Sequence, residues 1–273
     1  MLSILQLQRR ATCGPYDPGA YLALCRALVE SGKQDYAESI FRRWQHLDPD
    51  SATIAYHRCV LLQEAAPGRA PDEYLVDEFD AFADSFDAVL AGLDYRVPEW
   101  FGRLLARRLE RSAARRVIDL GCGTGLCGLV ARPYAARLCG VDLSPGMLQR
   151  ARERGLYDEL VECELVAYLE SCAQRFDLLL AGDSLVYFGE LRPAFAAARR
   201  VSAPGALLLA SVERGYDDAG YALSASGRFQ HGRDCVEAAL YDTGWAAEQV
   251  ETMVLRLEYG MPVEGLAVVA RSR

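Results

Sequence analysis

Apolar positions recur every three to four residues through roughly the first hundred residues, and afterwards gather into short unbroken runs. The chain therefore predicts helices first and buried strands later. Tyr21, Leu24 and Leu28 share one helical face, Ser31-Gly32-Lys33 interrupts it, and Ala37, Phe41 and Trp44 line a second helix closed by Pro49. A further helix fits residues 51–64, and Ala65 to Pro71 reads as a linker. Over 72–93, Tyr74, Leu75, Phe79, Phe82, Phe86 and Leu90 form one stripe of a helix or helix pair; Tyr95-Arg96-Val97-Pro98 breaks it, and 99–111 is again helical. From Arg116 the pattern alternates. Strands are predicted at 116–120, 136–142, 160–164, 177–183 and 205–212, with helices beginning near Leu126, Pro145, Val166 and Leu191. That alternation predicts a doubly wound parallel sheet. Residues 234–241 form a last helix, and 248–259 and 264–271 pair as a hairpin around Gly260-Met261-Pro262. The predicted organisation is a helical domain at 1–70, a helical lid or linker at 71–115, and an α/β domain at 116–273.

Composition narrows this picture. The chain has 273 residues, 51% hydrophobic and 25% charged, with a formal net charge of -8. Such a balance disfavours a polyanionic partner such as DNA or RNA. Nine cysteines are scattered without a paired framework, and Cys122 and Cys127 beside the glycine turn have no histidine near them, which argues against zinc and for reduced thiols in a cytoplasmic setting. Met1 to Arg10 lacks a signal-peptide core, and no run approaches the length of a membrane span.

The stretch that carries chemistry is Val117-Ile118-Asp119-Leu120-Gly121-Cys122-Gly123-Thr124-Gly125. It reads as a buried strand, a glycine turn and the start of a helix, the layout of a nucleotide-type site. The glycines fall at first, third and fifth positions, whereas a dinucleotide fingerprint has them at first, third and sixth; the sixth here is Leu126, which disfavours an NAD-linked oxidoreductase. Asp142 ends the next strand, at the distance where an acid can accept hydrogen bonds from ribose hydroxyls, though its place before Ser144-Pro145 equally suits an acid at a helix N-terminus.

The two segments together resemble motifs of the class I S-adenosylmethionine (SAM) dependent methyltransferases. That resemblance implies a Rossmann-like, mostly parallel sheet with a terminal antiparallel hairpin, SAM as cofactor, and in-line transfer of a methyl group to an O or N nucleophile. It implies that Gly121, Cys122 and Gly123 meet the methionine end of SAM, with Asp119 near the amino group. Asp142 would take the ribose, Leu143 and Met147 would flank the adenine, and Glu164 with Leu165 would receive its amino edge; the family usually has aspartate where Glu164 stands. Asp183, closing the apolar run Phe176–Ala181, would face both cofactor and acceptor. Asp183, Tyr187 and His231 are the catalytic candidates, His231 as a base or as a structural loop histidine. Phe79, Phe86 and Tyr95 are candidate lid residues. Asp183, Tyr187 and the following Gly-acid-Leu resemble a branch that carries N-terminal tetratricopeptide repeats. Leu24, Ala37, Phe41 and Pro49 sit at signature positions of that repeat, while Cys25 and Leu28 depart from it. One and a half such repeats need a partner surface, which could be the rest of the chain, a second copy in a homodimer, or a protein acceptor. A small-molecule acceptor is the other possibility, and a scaffold without activity is the alternative to an enzyme.

Overall fold

Strand residues of the later half point alternately to two sides, and both sides are buried. Val117, Leu178, Leu180 and Leu209 pack with one apolar cluster; Ile118, Leu179, Leu208 and Ala210 pack with the other. A strand whose neighbours along the chain must face opposite ways, yet all be apolar, belongs inside a sheet covered by helices on both faces. The computed structural model, which describes residues 2–218 and 220–273, has that arrangement.

Its helices are α1 (Ile4–Cys13), α2 (Pro18–Glu30), α3 (Gln34–Leu47), α4 (Ala52–Leu62), α5 (Asp72–Phe82), α6 (Phe86–Gly92), α7 (Val97–Arg108), α8 (Leu126–Ala131), α9 (Pro145–Arg154), α10 (Leu165–Ser171), α11 (Arg192–Arg200) and α12 (Arg233–Asp242). The strands are β1 (Arg115–Leu120), β2 (Ala135–Asp142), β3 (Glu159–Glu162), β4 (Phe176–Ala181), β5 (Ser202–Arg214), β6 (Tyr221–Leu223), β7 (Phe229–His231), β8 (Trp245–Glu258) and β9 (Met261–Ser272). The sheet runs β3-β2-β1-β4-β5-β7-β6, with β9 antiparallel to β5 and β8 antiparallel to β9. β1, β2, β3, β4 and β5 pair in parallel, so the carboxyl ends of the central strands share one edge. The expected core and hairpin are present. Helix α1 and the three-residue strands β6 and β7 are additions to the expected elements, and β5 starts three residues earlier than its apolar run.

The contacts divide the chain into two compact units: residues up to Tyr74 with Leu223–Gly227, and Leu75–Ala222 with Arg228–Arg273. In the first, Leu24, Leu28, Phe41 and Trp44 form a helical core in which Trp44 stacks on Tyr21 at 5.6 Å and donates from Nε1 to the Tyr16 hydroxyl at 3.0 Å. Asp17 and Ser51 cap α2 and α4 with their side chains. Tyr56 donates to the Gly227 carbonyl at 3.0 Å. The second unit holds the whole apolar double layer. No helix of the described residues is long and apolar enough to cross a membrane.

Burial also sets a pH dependence. His57 in the first unit and His231 in the second are buried, and desolvation pulls both imidazoles from the ordinary 6.5 down to about 4. The unfolded chain therefore binds their protons first, and the stability present above 6.5 is lost as the pH falls to about 4. Asp119 acts oppositely: its folded value is pushed up to about 7, so the native state gains relative to the unfolded one as pH falls from about 7 to 4. We expect His231→Gln, which keeps a donor, to flatten the acid limb of the unfolding free energy from urea titrations between pH 7 and 4.5 by up to about 1.4 kcal/mol per pH unit. An unchanged slope would place the His231 proton elsewhere.

Candidate functional site

Three loops meet at the carboxyl edge of β1, β2 and β4. The turn after β1 needs glycine on conformational and steric grounds. Gly121, Gly123 and Gly125 have φ of +68°, +53° and +96°, a region that L side chains avoid. A Cβ at 121 would in addition lie 2.4 Å from the Cβ of Ser184, in the loop after β4. Gly121→Ala should accordingly cost about 1–3 kcal/mol in urea unfolding, because both backbone strain and a fixed neighbour oppose it. A neutral effect would mean that the two loops part easily.

Asp142 ties the turn to the next loop. One carboxylate oxygen accepts the Gly123 N–H at 2.7 Å and the other the Ser144 N–H at 2.9 Å. Ser144 in turn caps α9 through the Met147 N–H at 3.0 Å. Burial raises the Asp142 carboxyl above its ordinary value, opposed by those backbone donors. The Leu143 N–H adds to these donors, and with about four acceptor positions the carboxylate keeps capacity beyond them. Leu143 is half-buried beside it and Met147 is fully buried on α9.

Glu164 does two things. One of its oxygens caps α10, accepting the Ala167 N–H at 2.8 Å. The other, Oε1, is buried with no hydrogen-bond partner. An orphaned buried acceptor is rare and marks a place where a donor belongs. Leu165 is buried next to it.

Asp119 is buried under the turn, where its carboxylate accepts the Tyr157 hydroxyl at 2.7 Å and the Gly128 N–H. Both partners belong to the protein, so Asp119 lies beneath the turn and not on its open side. His231 is enclosed as well. It is 0% exposed, its Nε2 lies 3.1 Å from the Gly189 carbonyl oxygen, and burial keeps the ring neutral down to about pH 4. A side chain so enclosed ties β7 to the turn at 189 and has no exposed nitrogen for an acceptor's proton.

Asp183 has φ +54°, an unusual backbone for a residue with a side chain. It is held on three sides. The Ser211 hydroxyl accepts the Asp183 N–H at 2.9 Å and donates to its carboxylate at 2.8 Å, and Arg256 pairs with the other oxygen at 3.1 Å. Arg256 also grips buried Glu213 and lies 2.8 Å from Glu258. Arg228 adds a second cation, 3.0 Å from Glu258 and beside the Tyr187 hydroxyl. Burial raises the Tyr187 phenol above 10 while Arg228 pulls it back, so at neutral pH it is a donor and not a base. None of the ion-pair members beyond Asp183 stands out in the sequence, since a buried Arg256 in a hairpin strand looks like an exposed one.

Helices α5 and α6 are bound to this edge. Asp80 accepts the Gly146 N–H at 2.9 Å and the Ser144 hydroxyl, and Asp87 accepts the Thr124 hydroxyl at 2.6 Å and pairs with Arg154. Phe86 stands 3.8 Å from where a Cβ of Gly123 would be, and Phe79 meets the Tyr187 ring edge-on with centroids 5.6 Å apart. Of the lid candidates, Phe79 and Phe86 therefore line this edge, while Tyr95 packs against the apolar cluster behind it.

Comparison with known proteins agrees with the geometry. Residues 117–205 match the family described as Methyltransferase domain. The chain is 32% identical over 156 residues to the malonyl-[acyl-carrier protein] O-methyltransferase of Hahella chejuensis, covering 55% of this chain and 53% of that one. It is 41% identical over 87 residues to the trans-aconitate 2-methyltransferase of Paracidovorax citrulli, covering 31% of this chain and 34% of that one. The chain thus spans about half the length, or less, of these curated relatives. Among solved structures, the 1,6-didemethyltoxoflavin-N1-methyltransferase of Burkholderia thailandensis with bound S-adenosylhomocysteine superposes with a TM-score of 0.58 over 77% of this chain and 93% of its own, at 19% identity. The shared fold is the Rossmann-like sheet of such transferases.

Proposed function

We propose that this chain is a SAM-dependent methyltransferase. The observation that carries the reading is the conjunction of the positive-φ glycine turn, the Asp142 carboxylate with acceptor capacity to spare, and the orphaned Glu164 oxygen, all at the carboxyl edge of one sheet. They match the three parts of the donor. Backbone groups of Gly121, Cys122 and Gly123 would hold the amino-acid end, Asp142 the ribose hydroxyls, and Glu164 the adenine amino group, with Leu143, Met147 and Leu165 as apolar walls. When bound, SAM supplies a methyl group on a sulfonium, already activated for displacement.

The chain's own residues then have to orient and shield. Aligning nucleophile and methyl carbon can supply about 7–11 kcal/mol of the barrier. Asp183, fixed by Ser211 and Arg256, is the rigid acceptor-side group; the Tyr187 hydroxyl donates toward the acceptor; Phe79 and Phe86 exclude water. A small-molecule or carrier-bound acceptor with an oxygen or nitrogen nucleophile is the class we favour, supported by the malonyl and trans-aconitate acceptors in the relatives' names. The N-terminal helices α2 and α3, joined at Ser31–Lys33 and packed through Leu24, Ala37 and Phe41, support a tetratricopeptide-like reading, as a docking element for a protein-borne acceptor or a second copy. Nine unpaired thiols support a cytoplasmic setting.

The test is incubation with methyl-labelled SAM and a cell extract of the host. Label is expected in a small-molecule or carrier-bound fraction, and none with Asp142→Ala. Equal labelling by the two proteins would refute the assignment.

A further inference from the structure

Three glycines around the turn lie against one residue that no motif contains. A Cβ at Gly125 would lie 3.0 Å from the Tyr157 ring, one at Gly128 2.3 Å from its hydroxyl, and one at Gly140 2.9 Å from its Cδ1. Tyr157, in the loop between α9 and β3, thus fills the space beneath the turn: Gly128 of α8 admits its ring, and Gly140 of β2 admits the ring together with the Leu160 side chain at 2.8 Å and the Cys122 sulfur at 2.9 Å. Its hydroxyl ends 2.7 Å from the buried Asp119 carboxylate. Asp119 closes the triangle by accepting the Gly128 N–H at the start of α8.

We propose that Tyr157 is a positioning residue for the donor: its hydroxyl holds the Asp119 carboxylate beneath the turn and so fixes the Gly121–Gly125 backbone that receives the amino-acid end of SAM. This rests on the donor reading above. The logic is electrostatic. A carboxylate beneath a loop that binds an ammonium-bearing ligand is favourable only while it stays ionised, and burial works against that. Its surroundings offer little other help. Asp142 on β2 is a like charge, and Cys122 in the turn, Cys127 on α8 and Tyr95 before α7 are buried groups that do not donate a full charge. The phenol of Tyr157 is itself driven well above its ordinary 10 by burial, so it remains a donor throughout. A charge-assisted hydrogen bond of this kind is roughly twice as strong as a neutral one.

Wild type, Tyr157→Phe, Asp119→Asn and the double variant separate positioning from packing. Phe keeps the ring and removes only the donor. In the ligand-free proteins, the cost of Tyr157→Phe in urea unfolding should be larger at pH 8.5 than at pH 6, and should largely vanish in the Asp119→Asn background. In calorimetric titration at pH 8, Tyr157→Phe should bind S-adenosylhomocysteine about tenfold more weakly, again without further loss when Asn is already present. A cost that is independent of pH and additive with Asp119→Asn would overturn the role, leaving only a packed ring. If wild type binds and Tyr157→Phe binds equally well, the inference about Tyr157 alone falls. Should wild type not bind at all, the donor reading falls and the role of Tyr157 toward the donor with it.

Discussion

Arg256→Met should destabilise the second unit by about 3–5 kcal/mol in urea unfolding, the largest loss we expect from any single charge in the chain. Arg256 is 3% exposed and has three carboxylates around it: Glu213, also 3% exposed, Asp183 at 3.1 Å and Glu258 at 2.8 Å. Taking away the cation leaves Glu213 buried with only Arg228 at 3.6 Å to oppose it. A pair such as Arg103 with Glu99, both more than half exposed, should by contrast contribute at most about 1 kcal/mol. The pairing itself need not be favourable overall, since charges lose hydration when buried. The double variant Arg256→Met with Glu213→Leu should therefore recover much of the loss. Activity should not recover with it, because Asp183 would still lack one of its three anchors. Recovery of both would mean that the cluster only fills space.

The second large effect concerns ligand and not fold. Asp142→Ala should weaken S-adenosylhomocysteine binding by a factor of about 10²–10⁴, the loss of two hydrogen bonds to a charged acceptor at about 1.5–3 kcal/mol each. Asp142→Asn should lose less, because the amide oxygen can still accept one bond. The ligand-free protein should tolerate the change well. Burial raises the Asp142 carboxyl, so at neutral pH the native state bears the cost of keeping it ionised. Removing it trades that cost against the loss of the Gly123 and Ser144 bonds. A variant that is equally stable but blind to the ligand is what a binding carboxylate gives; one that unfolds while the surviving fraction binds normally is what a helix-end charge gives.

How far these residues could be read beforehand depended on the range of their interactions. The strand ending at Leu120, the glycine turn and Asp142 are local features, and hydrophobic runs with flanking glycine announce them. The five parallel strands followed because each is a run buried on both faces. Strands β6 and β7 were missed since three residues carry no period, and α1 because Leu7 and Ala11 are its only buried residues. The carboxylates Asp80 and Asp87 look like the solvated side of an amphipathic helix; only the fold brings them to Ser144, Gly146, Thr124 and Arg154, more than thirty residues away. Tyr157 was concealed in the same way, although Gly128 and Gly140, needless for a turn, were a sign that something large lies against them. His231 stays open between base and structural histidine in the sequence because a lone histidine says nothing about burial. Glu164 shows the reverse case. It departs from the aspartate usual in the family it resembles, and the structure buries one of its oxygens without a partner.

The central claim is that the glycine turn and Asp142 form a site for a sulfonium nucleoside. Calorimetric titration of the intact chain with S-adenosylhomocysteine, with NAD in a parallel cell, tests it most directly. A single saturable site for S-adenosylhomocysteine and no heat from NAD are expected; saturable binding of NAD with none of S-adenosylhomocysteine would contradict that site.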